Sequence, residues 1–344
     1  MKNIIKIVAF LSAMLISTAS IAGELTVTGN AKASFQIVGS DNASANQEAG
    51  RALLIENAIV LSAGGELDNG TAWKYSFQLD QGSVDDPTIT MTNNFGTIGL
   101  FSKAGGLNAK HFGSANAIAY GSQYGRGNTS GEFVDPSDIG SYANIQYHTP
   151  AGLLPLGTVV KVARAFAGAD NAVQGDAIPV ANTIRDGMSY SLDIAPIENL
   201  ALAASYFTYD TLSQDSDKSQ KAEYGAWGAK YAVGNFSAGY SKGYSAPPLT
   251  NAHSSTAATA DYINDSYSIG MKVNDNLSVS YGKETSQQNL RTDGTDVKVE
   301  IDSIQAAYTM GGMTIAAAVK NVDNYTYTAT NDVKEATVFL TLAF

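Results

Sequence analysis

The sequence predicts an all-β chain: a closed antiparallel transmembrane β-barrel of about sixteen strands. Three observations carry this reading. Apolar and polar residues alternate with period two through segment after segment. The connections between segments alternate between very short and much longer ones. The chain ends in an alternating aromatic strand, Val338-Phe339-Leu340-Thr341-Leu342-Ala343-Phe344. A soluble sandwich has no reason to keep every second connection minimal, because both its ends meet the same water. A barrel does, since its short turns face one compartment and its long loops the other.

Taken in chain order, the first residues read as a secretory signal. Lys2 and Lys6 supply a positive start, 7–16 an apolar stretch too short to span comfortably as a helix, and Ser20-Ile21-Ala22 the small residues of a cleavage site. The expected division is a signal peptide at 1–22 and a single barrel domain at 23–344. No later run approaches the roughly eighteen apolar residues of a spanning helix. Taking Lys2 and Lys6 from the 21 basic residues leaves 19 against 32 acidic ones, a net charge of −13 after cleavage. That balance argues against nucleic-acid partners, which demand basic patches, and suits loops facing a cation-bridged lipopolysaccharide surface. With no cysteine, disulfides and thiolate chemistry are excluded.

The first segment shows the alternation clearly. Leu25, Val27, Phe35 and Ile37 share one parity, and Thr26, Thr28, Asn30, Lys32, Ser34 and Gln36 the other. Trp73, Tyr75, Phe77 and Leu79 repeat it against Lys74, Ser76, Gln78 and Asp80, as do Met188, Tyr190, Leu192 and Ile194, then Tyr267, Ile269, Met271 and Val273. Predicted strands are 24–38, 52–67, 71–81, 86–94, 97–103, 141–149, 158–166, 187–196, 199–210, 222–233, 235–245, 262–273, 276–286, 297–310, 313–324 and 333–344. Within 297–310 the apolar phase switches from Val297, Val299 and Ile301 to Ile304, Ala306 and Tyr308, which predicts a β-bulge near Asp302. Aromatic residues near strand ends predict two interfacial girdles. One holds Trp73, Tyr147, Tyr231, Phe236 and Phe344 beside short turns; the other holds Phe166, Tyr209, Tyr244, Tyr262 and Tyr325 beside long loops.

Three stretches give the chain a resemblance to the Gram-negative general porins over essentially its whole mature length. They are the first strand Glu24-Leu25-Thr26-Val27-Thr28-Gly29, the strand pair around Gly64-Gly65-Glu66-Leu67-Asp68-Asn69-Gly70-Thr71, and the terminal strand with Val338, Leu340, Leu342 and Phe344 on one face. The resemblance implies a homotrimer in the outer membrane, a terminal strand read by the barrel-assembly machinery, and passive diffusion of ions and small hydrophilic solutes with no cofactor. It departs from the family at 82–85, a connection short for the latch that family trimers place there.

The connection 104–140 is far too long for a passive link in a compact barrel. It occupies the place of the third external loop, which in the resembling family folds into the lumen and narrows the pore. Candidate constriction residues are Glu132, Asp135 and Asp138, with Arg126 earlier in the loop. Strand parity makes Lys32, Lys74, Lys161 and Asp80 lumen-wall candidates. Loop carboxylates facing wall cations would set up a transverse field that orders water and screens apolar solutes. The plainer reading is a solvated acidic cluster on an external loop. The acidic excess predicts a modest preference for cations.

Two other classes bear weighing. A substrate-specific channel needs an aromatic run or a basic ladder down the lumen, and the assignable lumen faces carry mostly Ser, Thr, Gly, Asn and Gln. A barrel hydrolase needs a base beside a nucleophile, but His111, His148 and His253 are scattered, and no metal-loop pattern accompanies Asp85-Asp86 or the Asp135/Asp138 pair. A soluble exported β-protein would have polar outward faces, against the alternation found.

Overall fold

The computed structural model describes residues 24–40, 50–80, 83–108, 116–120, 136–168, 184–211, 218–250, 259–291 and 295–344. Sixteen strands close into one antiparallel barrel. In order they are β1 (Glu24–Ser40), β2 (Gly50–Glu66), β3 (Ala72–Asp80), β4 (Ser83–Asn93), β5 (Gly96–Phe101), β6 (Asn144–His148), β7 (Val159–Gly168), β8 (Ile184–Ile197) and β9 (Leu200–Thr211). The ring continues through β11 (Ala222–Val233), β12 (Phe236–Ala246), β14 (Thr259–Lys272), β15 (Leu277–Leu290), β16 (Val297–Met310), β17 (Met313–Asp323) and β18 (Val333–Ala343). Two short strands, β10 (Lys218–Gln220) and β13 (Leu249–Thr250), pair with each other in a separate ladder. Each predicted segment corresponds to one barrel strand, and the Thr-rich stretch 86–103 is two strands, β4 and β5.

The ring closes where β18 pairs with β1. Phe344 donates its N–H to the Gly29 carbonyl at 3.0 Å and accepts the Gly29 N–H at 2.8 Å. A Cβ at position 29 would lie 2.7 Å from the Phe344 ring, so glycine makes room for the terminal side chain. Closure leaves no sheet edge, which a strand-built wall in a bilayer requires.

Period two gives the wall its two faces. Leu25, Val27, Phe35, Ile37, Leu53 and Ile55 are exposed on the outer face, while Ser34 and Gln36 are buried on the inner one. On β18, Val338, Leu340, Leu342 and Phe344 point outward. Nearer the long loops the outer face turns polar, with ion pairs Arg164–Asp186 (2.8 Å), Lys242–Asp265 (3.2 Å) and Lys283–Glu300 (2.7 Å).

Two sequence expectations fail here for one reason. The pairings of β16 with β15 and β17 run without a register shift, so there is no bulge at Asp302. Val299 and Ile301 are inner-face residues packed in one buried cluster with Tyr325, Val322 and Val333, and Glu300 and Asp302 belong to the polar outer band. The apolar phase changes because the environment of each face changes along the strand. Likewise Tyr147, Tyr231, Phe236, Phe344, Phe166 and Tyr244 are exposed, as girdle residues should be. Tyr209, Tyr262 and Tyr325 are not on that surface. By register Tyr209 and Tyr262 lie on the inner face, and Tyr325 is buried in an inner cluster.

Candidate functional site

The inner wall of β12, β14 and β15 is built mostly of serine, glycine and asparagine, with Tyr262 and the enclosed Glu284 among them. Ser237, Gly239, Ser241, Gly243 and Ser245 line β12; they face Gly270, Ser268, Ser266, Asn264 and Tyr262 on β14, which face Ser280, Gly282, Glu284, Ser286 and Gln288 on β15. Residues 116–120, from the long connection between β5 and β6, lie against this surface. The Ala117 N–H donates to Ser268 Oγ at 2.6 Å and the Ala119 N–H to Ser280 Oγ at 2.8 Å. The Tyr120 N–H donates to Gln305 Oε1 at 3.0 Å. Asn116 accepts from Ser266 Oγ at 2.7 Å and donates to Glu284 Oε1 at 3.1 Å. Beyond β16, the Tyr120 hydroxyl meets Thr341 Oγ1 on β18 at 2.6 Å and its ring packs on Phe339, centroids 5.3 Å apart.

A segment without secondary structure must satisfy its own N–H groups, and serine hydroxyls do so here without adding charge. Close approach also needs missing volume: a Cβ on Gly270 would sit 2.6 Å from the Ala117 carbonyl oxygen.

The two ends of the connection are tied to each other. Asp138 Oδ1 accepts the Leu107 N–H at 2.8 Å and the Gly140 N–H at 3.0 Å, capping the 3-10 turn Ile139–Ser141. Asn144 donates to the Ala104 carbonyl at 3.2 Å. Around this root an apolar cluster joins Leu107 and Ile139 to Phe207 and Tyr224 of the wall, with Tyr142 and Tyr209 packed against it. The Tyr209 and Tyr224 rings stack at 6.0 Å and 15°. The sequence reading expected mostly small polar lumen faces, placed Tyr209 in an outer girdle, and did not single out Phe207, Tyr224 or Tyr142. Phe207 is 0% exposed and Tyr224 6%, so both act as packing under the loop root rather than as a solute track.

Of the residues nominated from sequence, Arg126, Glu132 and Asp135 lie outside the described residues. Asp138 holds the loop root as given above. Lys32 bonds Glu56, its direct cross-strand partner, at 2.9 Å, and its ammonium lies 5.6 Å from the Phe339 ring centroid. Lys161 bonds Asp193 on the neighbouring strand at 2.7 Å. Lys74 is exposed beside the short turn 67–71, cross-strand from Gly64 and Thr90. Asp80 ends β3 at the opposite rim, cross-strand from Ala58 and Ser83. These wall residues therefore do not gather at one height, and two of the three lysines are already matched by carboxylates of the wall itself.

Sequence reasoning missed the residues that fix the loop: Asn116, Tyr120, Gly270 and Glu284. It also missed Lys320–Glu335, a 3.1 Å inner-wall pair with side chains 3% and 2% exposed. The alternating serines and glycines of 237–245 were the available signal, since small residues on a whole strand face mean that something packs closely there.

No family model matches the sequence, and no curated protein does. Solved structures do. OmpF of Salmonella typhi, in complex with daunomycin, superposes with a TM-score of 0.69 at 13% identity, covering 94% of this chain and 98% of that one. An anion-selective porin from Comamonas acidovorans gives 0.65 at 12%, covering 94% and 100%. The trimer form of OmpT, an outer membrane protein of Vibrio cholerae, gives 0.64 at 13%, covering 94% and 100%. At such identities the likeness is one of architecture, and it is complete from first strand to last: this chain has the sixteen-stranded fold of the Gram-negative porins.

Proposed function

We propose that the protein is an outer-membrane channel, exported by the segment 1–22, through which ions and small hydrophilic solutes diffuse passively. The observation that carries this is the pair of faces on a closed wall, apolar outward and polar inward. The anchoring of 116–120 to four inner strand faces supports a reading in which the connection 104–140 crosses the lumen and narrows it. Arg126, Glu132 and Asp135 would then line the gap, with Asp138 holding the root.

The chain performs no covalent step and uses no cofactor. Solutes are sieved by the gap that the loop leaves, and weakly by charge. Lys32 and Lys161 each sit in a neutral pair, so their fields fall off as dipoles rather than as monopoles. The acidic excess of the chain then tips selectivity modestly towards cations. A homotrimer is proposed by analogy with the fold neighbour solved as a trimer. The reading as a substrate-specific channel is disfavoured by the burial of the inner aromatics.

Planar-bilayer recording of the purified protein in a salt gradient is the test. Discrete conductance steps with a cation-side reversal potential are expected, and deletion of 130–137 should raise the step size and blur ion selectivity. Absence of steps would dismiss the channel. Steps left unchanged by the deletion would show that the loop lies out of the current path.

A further inference from the structure

The connection 324–332 between β17 and β18 does more than join two strands. Val322 and Val333 are direct cross-strand partners, so a tight turn would suffice between them. Instead the segment folds back over the inside of the wall. Tyr325 is 3% exposed and packs with Val299, Ile301, Val322 and Val333, all inner-face residues. Tyr327 reaches further. Its hydroxyl lies 2.6 Å from Ser286 Oγ on β15, and its ring centroid 5.1 Å from that of Tyr262 on β14. From its origin at β17 and β18 the segment thus spans the inner faces of β16, β15 and β14.

Its conformation is held by its own bonds. The Tyr325 N–H donates to the Asn331 carbonyl at 2.7 Å, the Thr330 N–H to Asn324 Oδ1 at 3.0 Å, and the Asn324 N–H to Asp332 Oδ1 at 3.0 Å. Asn324 Nδ2 donates to the Lys298 carbonyl at 2.9 Å, tying the fold to β16. Four non-glycine residues adopt left-handed backbone: Asn324 (φ 57°), Thr326 (53°), Tyr327 (56°) and Thr330 (64°). Threonine and tyrosine resist that region, and such strain persists only where the surroundings over-determine it. The two tyrosine anchors and the bond network supply that over-determination. Thr326 between the anchors and Thr328, Ala329 and Thr330 after them are exposed, and 325–331 carries no charge.

We propose that 324–332 is a fixed inner lip at the loop-side mouth, a second constriction that selects uncharged and charged solutes alike by cross-section. The proposal rests on the channel reading above. Its ligand class is any hydrophilic solute near the size limit, met by threonine hydroxyls rather than by a field.

The test replaces 325–331 with Gly-Gly, leaving Asn324 and Asp332 to close a short hairpin. Single-channel conductance should rise by roughly half, and larger neutral polyethylene glycols should enter, because a narrow mouth adds series resistance. The cation-to-anion permeability ratio should stay unchanged, since no charge is removed. A variant that still gives discrete steps, with the same conductance and the same polymer cut-off, would overturn the lip while leaving the channel standing. A changed permeability ratio would overturn selection by size alone. Tyr327→Ala keeps the loop length and releases the side-chain contacts of this anchor, among them those to Ser286, Tyr262 and the apolar cluster around Tyr325. It should increase open-channel current noise and move the cut-off in the same direction; quiet, unshifted channels would count against the lip. Wild-type protein giving no steps would fail the channel reading itself.

Discussion

Two arcs of the inner wall solve opposite problems. From β12 to β15 the wall is mostly serine and glycine around one enclosed carboxylate, Glu284, and the backbone of 116–120 lies directly on it. From β17 through β18 and β1 to β2, and again across β7 and β8, the wall carries lysines, each matched by a carboxylate one strand away. Small hydroxyl residues let another segment come close and satisfy its N–H groups with neutral partners, and the one carboxylate enclosed there, Glu284, accepts from Asn116 Nδ2 and Ser266 Oγ. Long charged residues occupy the wall where water reaches, and cross-strand pairing cancels most of their field. The exception teaches most: Lys320 and Glu335 are a charged pair that is nearly fully enclosed, unlike Lys32 and Glu56 at 29% and 45% exposure.

That exception gives the largest expected effect. Lys320→Met leaves Glu335 enclosed without its Lys320 partner, while the Thr337 hydroxyl still donates to it at 2.8 Å. Breaking a buried pair on one side costs about 3–5 kcal/mol. Urea refolding into detergent micelles or vesicles should show that loss, and the double variant Lys320→Met/Glu335→Leu should recover much of it. A single-variant loss within a few tenths of a kilocalorie would mean that water serves this pair as it serves Lys32 and Glu56, and the contrast between enclosed and wet pairs would collapse.

The two arcs were not equally legible in the sequence. Strand number and order were, because closing a sheet in a bilayer forces period two on every segment and leaves no edge. Parity alone made Lys32, Lys74 and Lys161 lumen-wall candidates, and in the barrel they stand cross-strand from Glu56, Gly64 and Ser191. What parity could not say is which inner faces a loop covers. The bonds that anchor 116–120 join residues 150 to 221 positions apart, and no local pattern encodes them. The same ignorance produced the phantom bulge at Asp302 and the misplaced girdle tyrosines. At Val299, Ile301, Tyr209 and Tyr262 a loop packs over the inner face, and the sequence showed the residue without the loop above it; Tyr325 belongs to such a loop itself. Arg126, Glu132 and Asp135 were nominated by loop length and charge, which identify a loop but not the surface each side chain meets.

In the neutral arc the corresponding change is Gly270→Val. The added Cβ would fall 2.6 Å from a backbone oxygen rather than a flexible side-chain tip, so 116–120 must lift away. Overpacking of this kind costs about 1–3 kcal/mol, less than the buried charge because the loop, not the barrel, yields. The bonds from Ala117 and Ala119 to Ser268 and Ser280 should lengthen or break. Heat-modifiable mobility in SDS should confirm an intact barrel, while single-channel conductance departs from wild type and its noise rises. An intact variant with wild-type current would show that the seating of 116–120 on the wall does not shape the current path.

The smallest effect belongs to the wet charged pairs, and it separates stability from selectivity. Glu56→Gln should change stability by under about 1 kcal/mol, as exposed ion pairs do, because both side chains remain hydrated. Lys32 is nevertheless released as an unmatched positive charge on the inner wall, in mid-strand on β1 and close to Phe339. Its field should discourage cations and shift the reversal potential towards anions. At about 0.1 M salt the screening length is roughly 10 Å and at 1 M roughly 3 Å, so the shift should be clear at low salt and vanish at high salt. Asp193→Asn, releasing Lys161, should act in the same direction, and the two shifts should add if the sites are independent. A shift that persists at 1 M would place Lys32 in a gap narrower than the screening length, making this wall part of the constriction. No shift at low salt would mean that the loop carboxylates already dominate the field, and that pairing along the wall is irrelevant to selectivity.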